Sequence, residues 1–143
     1  SHVAHDCIVG NDNILVNSSA LAGHIVVEDF THVGAFCGVH QFCRVGSHSF
    51  ISHSCSITKD VPPFVMVTGG ADATVCGLNV VGIKRAGFSE DDIGALRRAY
   101  KVIYRQGLRV SEATEKLSGM LDESPHIKSF VDFLNSSQRG IIR

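Results

Sequence analysis

The sequence of 143 residues is 44% hydrophobic and 19% charged, which suits one modest globular domain, or one domain with an appendage, that buries a core. Its formal charge of -1 argues against a general affinity for nucleic acid, and no apolar run approaches the roughly 18 residues that cross a bilayer. Five cysteines without a CxxC pair argue against a disulfide framework and a cysteine-ligated zinc site, so we expect a cytoplasmic protein.

Residues 1–60 contain a six-residue repeat that predicts their fold. Ten branched apolar residues follow one another at intervals of six: Val3, Val9, Leu15, Leu21, Val27, Val33, Val39, Val45, Ile51 and Ile57. A short strand cannot bury such a side chain alone, so the units must stack into a parallel β-helix with an aliphatic column inside. The position after each of them is often small, and the position two before tends to be small too, so we expect the chain to turn its corners there. The pattern resembles the hexapeptide-repeat transferases, which implies a left-handed β-helix with three hexads in each coil.

A helical pattern follows the repeat after a connecting segment. Two adjacent prolines stop the strand system, so we assign residues 61–88 as a connection and residues 89–143 as a small helical C-terminal domain. Ser89 is a typical N-cap for a first helix, Ser111 opens a second, and Ser124, followed by proline, opens a third. The predicted fold is therefore mainly β with an α appendage.

Seven of the eight histidines fall in the repeat: His2, His5, His24, His32, His40, His48 and His53. Three interpretations are open, namely a solvated outer surface, a metal site shared with neighbouring subunits, and a general base that deprotonates a hydroxyl. With three hexads per coil, His5, Gly23 and Gln41 stack on one face while Asp6 stacks beside His24. Polar groups and a glycine therefore gather around His5.

Eight stretches that span the chain resemble the UDP-N-acetylglucosamine O-acyltransferase family of lipid A biosynthesis. They are His2-Val-Ala-His-Asp-Cys7, Leu21-Ala-Gly-His24, Val39-His-Gln-Phe-Cys43, Asp60-Val-Pro-Pro-Phe64, Gly77-Leu-Asn79, Lys84-Arg-Ala-Gly-Phe88, Ala99-Tyr-Lys-Val-Ile-Tyr-Arg105 and Arg139-Gly-Ile-Ile-Arg143. The resemblance implies transfer of an (R)-3-hydroxyacyl group from acyl carrier protein to the 3-hydroxyl of UDP-N-acetylglucosamine, without metal, cofactor or covalent intermediate. It also implies a homotrimer, and a longer protein with further N-terminal coils of which this chain is the C-terminal part.

The same resemblance assigns roles to individual residues. His5 matches the general base, Asp6 the partner that supports it, and Gly23 the residue whose backbone N–H stabilises the oxyanion. The positions that line the sugar-nucleotide pocket or lie near the nucleotide or donor phosphates are His2, His24, His40, Gln41, Asn79 and Arg85. His53 matches the position where the acyl chain ends, and Phe50 narrows the groove, so we expect a shorter donor than glycine-bearing relatives use.

Two positions depart from the family pattern. Val81 stands where an acidic residue is usual and Ala86 where an arginine is usual, and both changes bear on nucleotide affinity.

A basic stripe marks the first predicted helix. Its members, at helical spacings of one, four and eight, are Arg97, Arg98, Lys101 and Arg105. They form either a solvated helix face or a docking surface for the acidic acyl carrier protein. Other functions also stay open: a related N-acyltransferase, a small-molecule acetyltransferase that uses coenzyme A, or a non-catalytic trimeric scaffold.

Overall fold

The computed structural model describes all 143 residues, and its first part is a coil of two-residue strands at intervals of six. The strands are β1 (His2–Val3), β2 (Ile8–Val9), β3 (Ile14–Leu15), β4 (Ala20–Leu21), β5 (Val26–Val27), β6 (His32–Val33), β7 (Gly38–Val39), β8 (Arg44–Val45), β9 (Phe50–Ile51) and β10 (Ser56–Ile57). Strands that lie three hexads apart pair in parallel, as His2 does with Ala20 and Ala20 with Gly38. The predicted left-handed parallel β-helix with a helical appendage is confirmed.

Three sheets form the sides of this coil. The first sheet is β1-β4-β7-β10 and the second is β2-β5-β8, while the third begins with β3-β6-β9. The predicted aliphatic column lies inside, and its members from Leu21 to Ile57 are at most 3% exposed. Val3 and Val9 are 43% and 38% exposed, because no part of this chain covers that end of the coil.

The chain turns between successive strands at a pair of residues whose second member has a positive φ. These second members have φ between 57° and 67° and are Asp6, Asp12, Ser18, His24, Phe30, Phe36, Phe42, His48 and Ser54. None is glycine, although this region is unfavourable for residues with a Cβ. The small residues expected at the corners flank them instead. Ser19, Thr31 and Ser49 follow a corner directly and are buried.

Residues 61–88 contain a hairpin and a helix that the sequence patterns did not predict. Strands β11 (Val65–Thr68) and β12 (Thr74–Leu78) are antiparallel, with a 3-10 turn at Gly70–Asp72 between them. Because β11 also pairs in parallel with β9, the hairpin extends the third sheet. Helix α1 (Val80–Arg85) follows, and the side-chain oxygen of its N-cap Asn79 accepts a hydrogen bond from the Gly82 N–H.

Three further helices form the C-terminal part: α2 (Glu90–Tyr104), α3 (Val110–Ser118) and α4 (Ile127–Ser136). Ser89 caps α2 as predicted, accepting from the Asp92 N–H at 3.1 Å. Helix α4, the third helix that the sequence predicts, begins at Ile127, two residues later than the expected first position Pro125. The buried Ser124 hydroxyl donates to Asp92 Oδ1 at 2.7 Å and accepts from the His126 N–H, which holds the chain in a turn before α4. No helix combines the length and the hydropathy that a membrane span needs.

Asp60 joins the helical part to the coil. Its side chain is 1% exposed and accepts hydrogen bonds from the Arg44 N–H at 2.8 Å and the Ser137 hydroxyl at 2.6 Å. Its backbone pairs with Gly140 and Ile142. The C-terminal residues are therefore fixed against the last coil.

Candidate active site

His5 and Asp6 form the first corner of the coil, between the first and second sheets. Adjacent residues in a regular strand point to opposite faces, so their side chains would not meet. Here the positive φ of Asp6, 59°, bends the backbone, and His5 Nδ1 lies 3.0 Å from Asp6 Oδ2. The corner that this contact needs is present.

The Asp6 carboxylate determines which nitrogen of His5 is free. The hydrogen bond from His5, and next to it the electrostatic effect of the nearby His24 imidazole, hold the pKa of Asp6 below its usual value. At neutral pH the ionised carboxylate only accepts hydrogen bonds, so Nδ1 of His5 carries the hydrogen. Nε2 then keeps its lone pair, which is the state that a general base requires.

Gly23 lies in the next coil, directly against the His5 ring. A Cβ at Gly23 would lie 2.8 Å from His5 Nε2 and 2.7 Å from Cε1, so only glycine allows this approach. The N–H groups of Ala22 and His24 on either side donate to backbone carbonyls, whereas that of Gly23 makes no hydrogen bond within the chain. A free base and a free backbone donor therefore lie side by side. This is the arrangement that acyl transfer through an oxyanion needs.

His24 completes the polar cluster at this corner. Its Nε2 lies 3.8 Å from Asp6 Oδ2, and its ring meets the His5 ring edge-on, with centroids 5.1 Å apart. One potential ligand atom from each of His5, Asp6 and His24 lies within 4.8 Å of the others. Two imidazoles and a carboxylate are donors that zinc accepts.

We nevertheless expect the purified protein to hold no stoichiometric zinc. An ion bound there would have to displace the 3.0 Å hydrogen bond between His5 and Asp6, and all three ligands are exposed to competing water. Elemental analysis of protein prepared without chelator measures this. One tightly bound zinc per subunit, with activity lost on chelation, would favour a metal centre instead.

Four of the residues assigned to the sugar-nucleotide pocket lie on the same side as His5. His2 and His40 line a groove of about 400 Å³ on the first sheet, together with small residues such as Ala20 and Gly38. His24 lies beside the His5–Asp6 corner, and Gln41 is the exposed residue that begins the corner one coil beyond Gly23.

Asn79 and Arg85 line a different groove, of about 530 Å³, between the third sheet and α1. Asn79 is 8% exposed, and its side-chain nitrogen donates to the His48 carbonyl at 2.8 Å while its oxygen caps α1. Asn79 therefore has a structural role that sequence reasoning missed. Val81 and Ala86, the two departures from the family pattern, line this groove as well. One chain does not bring this groove and His5 together.

The two residues assigned to acyl-chain length are also separated. Phe50 lines the third-sheet groove, where its ring stacks on His32 with centroids 4.4 Å apart. His53 is exposed at the corner between the third and first sheets and does not line that groove.

All four basic residues of the stripe are exposed, three of them on α2 and Arg105 at its C-cap, but their charges differ in whether they are paired. Arg98 pairs with Glu123 at 2.8 Å, and the Arg105 guanidinium lies 5.9 Å from the centre of the Tyr100 ring. Arg97 and Lys101 form no ion pair within the chain. Arg105 forms no ion pair either, so three of the four charges of the stripe are unpaired within the chain.

Comparison with known proteins gives consistent matches. Residues 60–142 match the family model described as UDP N-acetylglucosamine O-acyltransferase, domain 2. The acyl-[acyl-carrier-protein]–UDP-N-acetylglucosamine O-acyltransferase of Aliivibrio salmonicida is 46% identical over 99% of this chain and 54% of its own length. The enzyme of the same name from Pseudomonas fluorescens is 48% identical over 100% of this chain and 55% of its own length.

Solved structures show the same similarity. The crystal structure of UDP-N-acetylglucosamine O-acyltransferase from Moraxella catarrhalis matches with a TM-score of 0.94 and 40% identity, over 99% of this chain and 55% of that one. A structure from Acinetobacter baumannii matches with a TM-score of 0.93 and 42% identity, over 98% of this chain and 54% of that one. The chain spans about half the length of the relatives it matches.

Proposed function

This chain belongs to the UDP-N-acetylglucosamine O-acyltransferase family, and from that premise we propose that it carries the acyl-transfer site of such an enzyme. The reaction is transfer of an (R)-3-hydroxyacyl group from acyl carrier protein to the 3-hydroxyl of UDP-N-acetylglucosamine, the first step of lipid A synthesis. The names of the relatives support the donor and the acceptor. The observation that carries the proposal is the His5–Asp6 pair beside the free Gly23 N–H.

The mechanism follows from these three residues. His5 Nε2 removes the proton of the sugar 3-hydroxyl while the hydroxyl oxygen attacks the carbonyl carbon of the thioester. The Gly23 N–H stabilises the negative charge that develops on the carbonyl oxygen, and Asp6 stabilises the imidazolium. When the tetrahedral intermediate collapses, the C–S bond breaks and His5 returns its proton to the carrier thiolate. An ester and a free thiol are the products, and no covalent enzyme intermediate forms.

We propose that the complete site forms in a homotrimer, where the third-sheet groove of one subunit faces the His5 corner of the next. Asn79 and Arg85 line that groove, so they reach a substrate at His5 only from another copy. Three apolar residues of the groove are more than half exposed in a single chain, namely Ile14 at 56%, Phe30 at 51% and Val81 at 61%. A neighbouring subunit would cover them.

Acyl transfer by the full-length protein tests the proposal directly. We expect product ester from a 3-hydroxyacyl carrier-protein donor and UDP-N-acetylglucosamine. A folded trimer that transfers no acyl group would leave a scaffold role. We also propose a cytoplasmic location, which the five free thiols support because such thiols persist in a reducing compartment.

We propose that α2 binds the carrier protein through its basic stripe. Double charge reversal by Arg97→Glu and Lys101→Glu should raise the donor KM by about tenfold at low ionic strength, and less at high salt, because complementary charge accelerates association. The acceptor KM should not change. Kinetics at two salt concentrations measure both.

The control for net charge reverses two exposed charges elsewhere, Lys116→Glu on α3 and Lys128→Glu on α4, which bond to Gln106 and Asp132 respectively. It produces the same change in net charge. An equal rise in donor KM for both pairs would show a global charge effect, and no rise for either would discard docking at α2.

His53 is proposed to limit the acyl chain, with Phe50 narrowing its path. His53→Gly should shift the preferred donor to a longer chain, because each methylene that fits is worth about 0.8 kcal/mol and a polar imidazole opposes its burial. Discrimination between neighbouring even chain lengths should be about tenfold. Measuring kcat/KM across a donor series for both forms tests this, and identical length profiles would show that His53 does not set the limit.

A further inference from the structure

Phe42 is an exposed aromatic residue placed against the catalytic corner. Its ring stacks on the imidazole of His24 with centroids 4.8 Å apart and only 9° between the planes. The residue is 54% exposed, so it contributes little to the core, and its φ of 67° is one that a bulky side chain adopts at a cost. Neither burial nor backbone preference explains a phenylalanine at this position.

The contacts of Phe42 lead to the reacting atoms in two steps. The ring of His24 stacks on Phe42, its Nε2 lies 3.8 Å from Asp6 Oδ2, and it is nearly perpendicular to the His5 ring. Asp6 in turn holds His5 Nδ1 at 3.0 Å. The His24 side chain is 42% exposed, so without a stacking partner nothing on its outer face keeps the ring from turning toward solvent.

We infer that Phe42 is a positioning residue: its ring holds His24 flat, and His24 then keeps the Asp6 carboxylate aligned with the base His5. The inference rests on the proposed acyl-transfer function. Phe42 touches no reacting atom and acts through His24 alone. Phe42 and His24 are three hexads apart, so the sequence predicts that they stack. The sequence gives no sign of a role in catalysis, because the phenyl ring is unreactive.

The chain supplies a matched control in Phe36. It occupies the same corner position six residues earlier, has a φ of 59° and is 64% exposed. Unlike Phe42, it stacks on no other aromatic ring. Phe36→Leu therefore removes an exposed, positive-φ phenylalanine without touching the catalytic corner.

In the full-length protein, Phe42→Leu should lower kcat/KM about three- to tenfold, the rate equivalent of one aromatic stacking interaction. The loss should fall on kcat, and Phe42→Tyr should retain most activity because it keeps the ring. Phe36→Leu should match the wild type, and both leucine variants should keep the wild-type Tm. In the NMR spectrum, Phe42→Leu should shift the His24 ring C–H resonances by removing a ring current, while Phe36→Leu should not.

A double-mutant cycle decides whether Phe42 acts through His24. If it does, Phe42→Leu should add nothing to the loss caused by His24→Ala. Additive losses, or unchanged His24 resonances in Phe42→Leu, would overturn the inference while leaving the proposed function intact. Absence of acyl transfer by the wild-type protein would reject the proposed function and the inference with it.

Discussion

Replacement of His5 by alanine should lower kcat by about two to four orders of magnitude, the usual scale for losing a general base. The imidazole is the group whose free Nε2 lies against the Gly23 backbone, where the hydroxyl and the thioester would meet. Residual transfer would come from the oxyanion donor and from substrate binding. Single-turnover acyl transfer with the full-length protein measures the chemical step separately from product release.

The fold should survive this change, because the His5 side chain is 72% exposed and the corner is formed by backbone. Asn17→Ala is a suitable control, since Asn17 is an exposed residue at the equivalent first position of another corner. It should have wild-type activity. A well-folded His5→Ala variant that keeps most of its activity would assign the base to another histidine.

The β-helix could be predicted because its signal is local and repeated. Each aliphatic residue of the column needs the same environment, so burial repeats every six residues and is visible in the sequence. The hairpin β11–β12 and helix α1 could not be predicted in this way. Helix α1 has six residues, fewer than two turns, so no helical periodicity can repeat within it. It begins where Asn79 bonds to the carbonyl of His48, 31 residues earlier in the chain.

The repeat likewise predicts some contacts of the candidate site and not others. Stacking at three hexads per coil predicts that Gly23 approaches His5, and the structure has that approach. The resemblance implied that Asp6 supports His5, but the repeat pattern could not predict their contact, because the corner depends on a positive φ at residues that are not glycine. The sequence also could not predict that Asn79 and Arg85 lie away from His5, because their positions depend on where α1 packs.

Gly23→Ala should lower kcat by about a hundredfold, the scale of a misplacement of about 1 Å at a reacting group. The added methyl would lie 2.7 Å and 2.8 Å from atoms of the His5 ring, so the base must move away from the position where it meets the hydroxyl. The φ of Gly23 lies outside the left-handed region, so alanine adds no backbone strain there. Because the displaced side chain is exposed, stability should not change. Steady-state kinetics and a thermal melt measure the two effects.

Gly46→Ala provides the contrast that separates catalysis from packing. A Cβ at Gly46 would lie 2.7 Å from the carbonyl carbon of Pro62 and from Cα of Pro63, backbone atoms that cannot turn aside. This variant should lose about 1–3 kcal/mol of stability, because overpacking forces the chain to shift. The double variant His5→Ala, Gly23→Ala should be little less active than His5→Ala alone, because the added methyl group then has no His5 ring to displace. A Gly23→Ala variant that loses stability but keeps its kcat would make Gly23 a packing residue only.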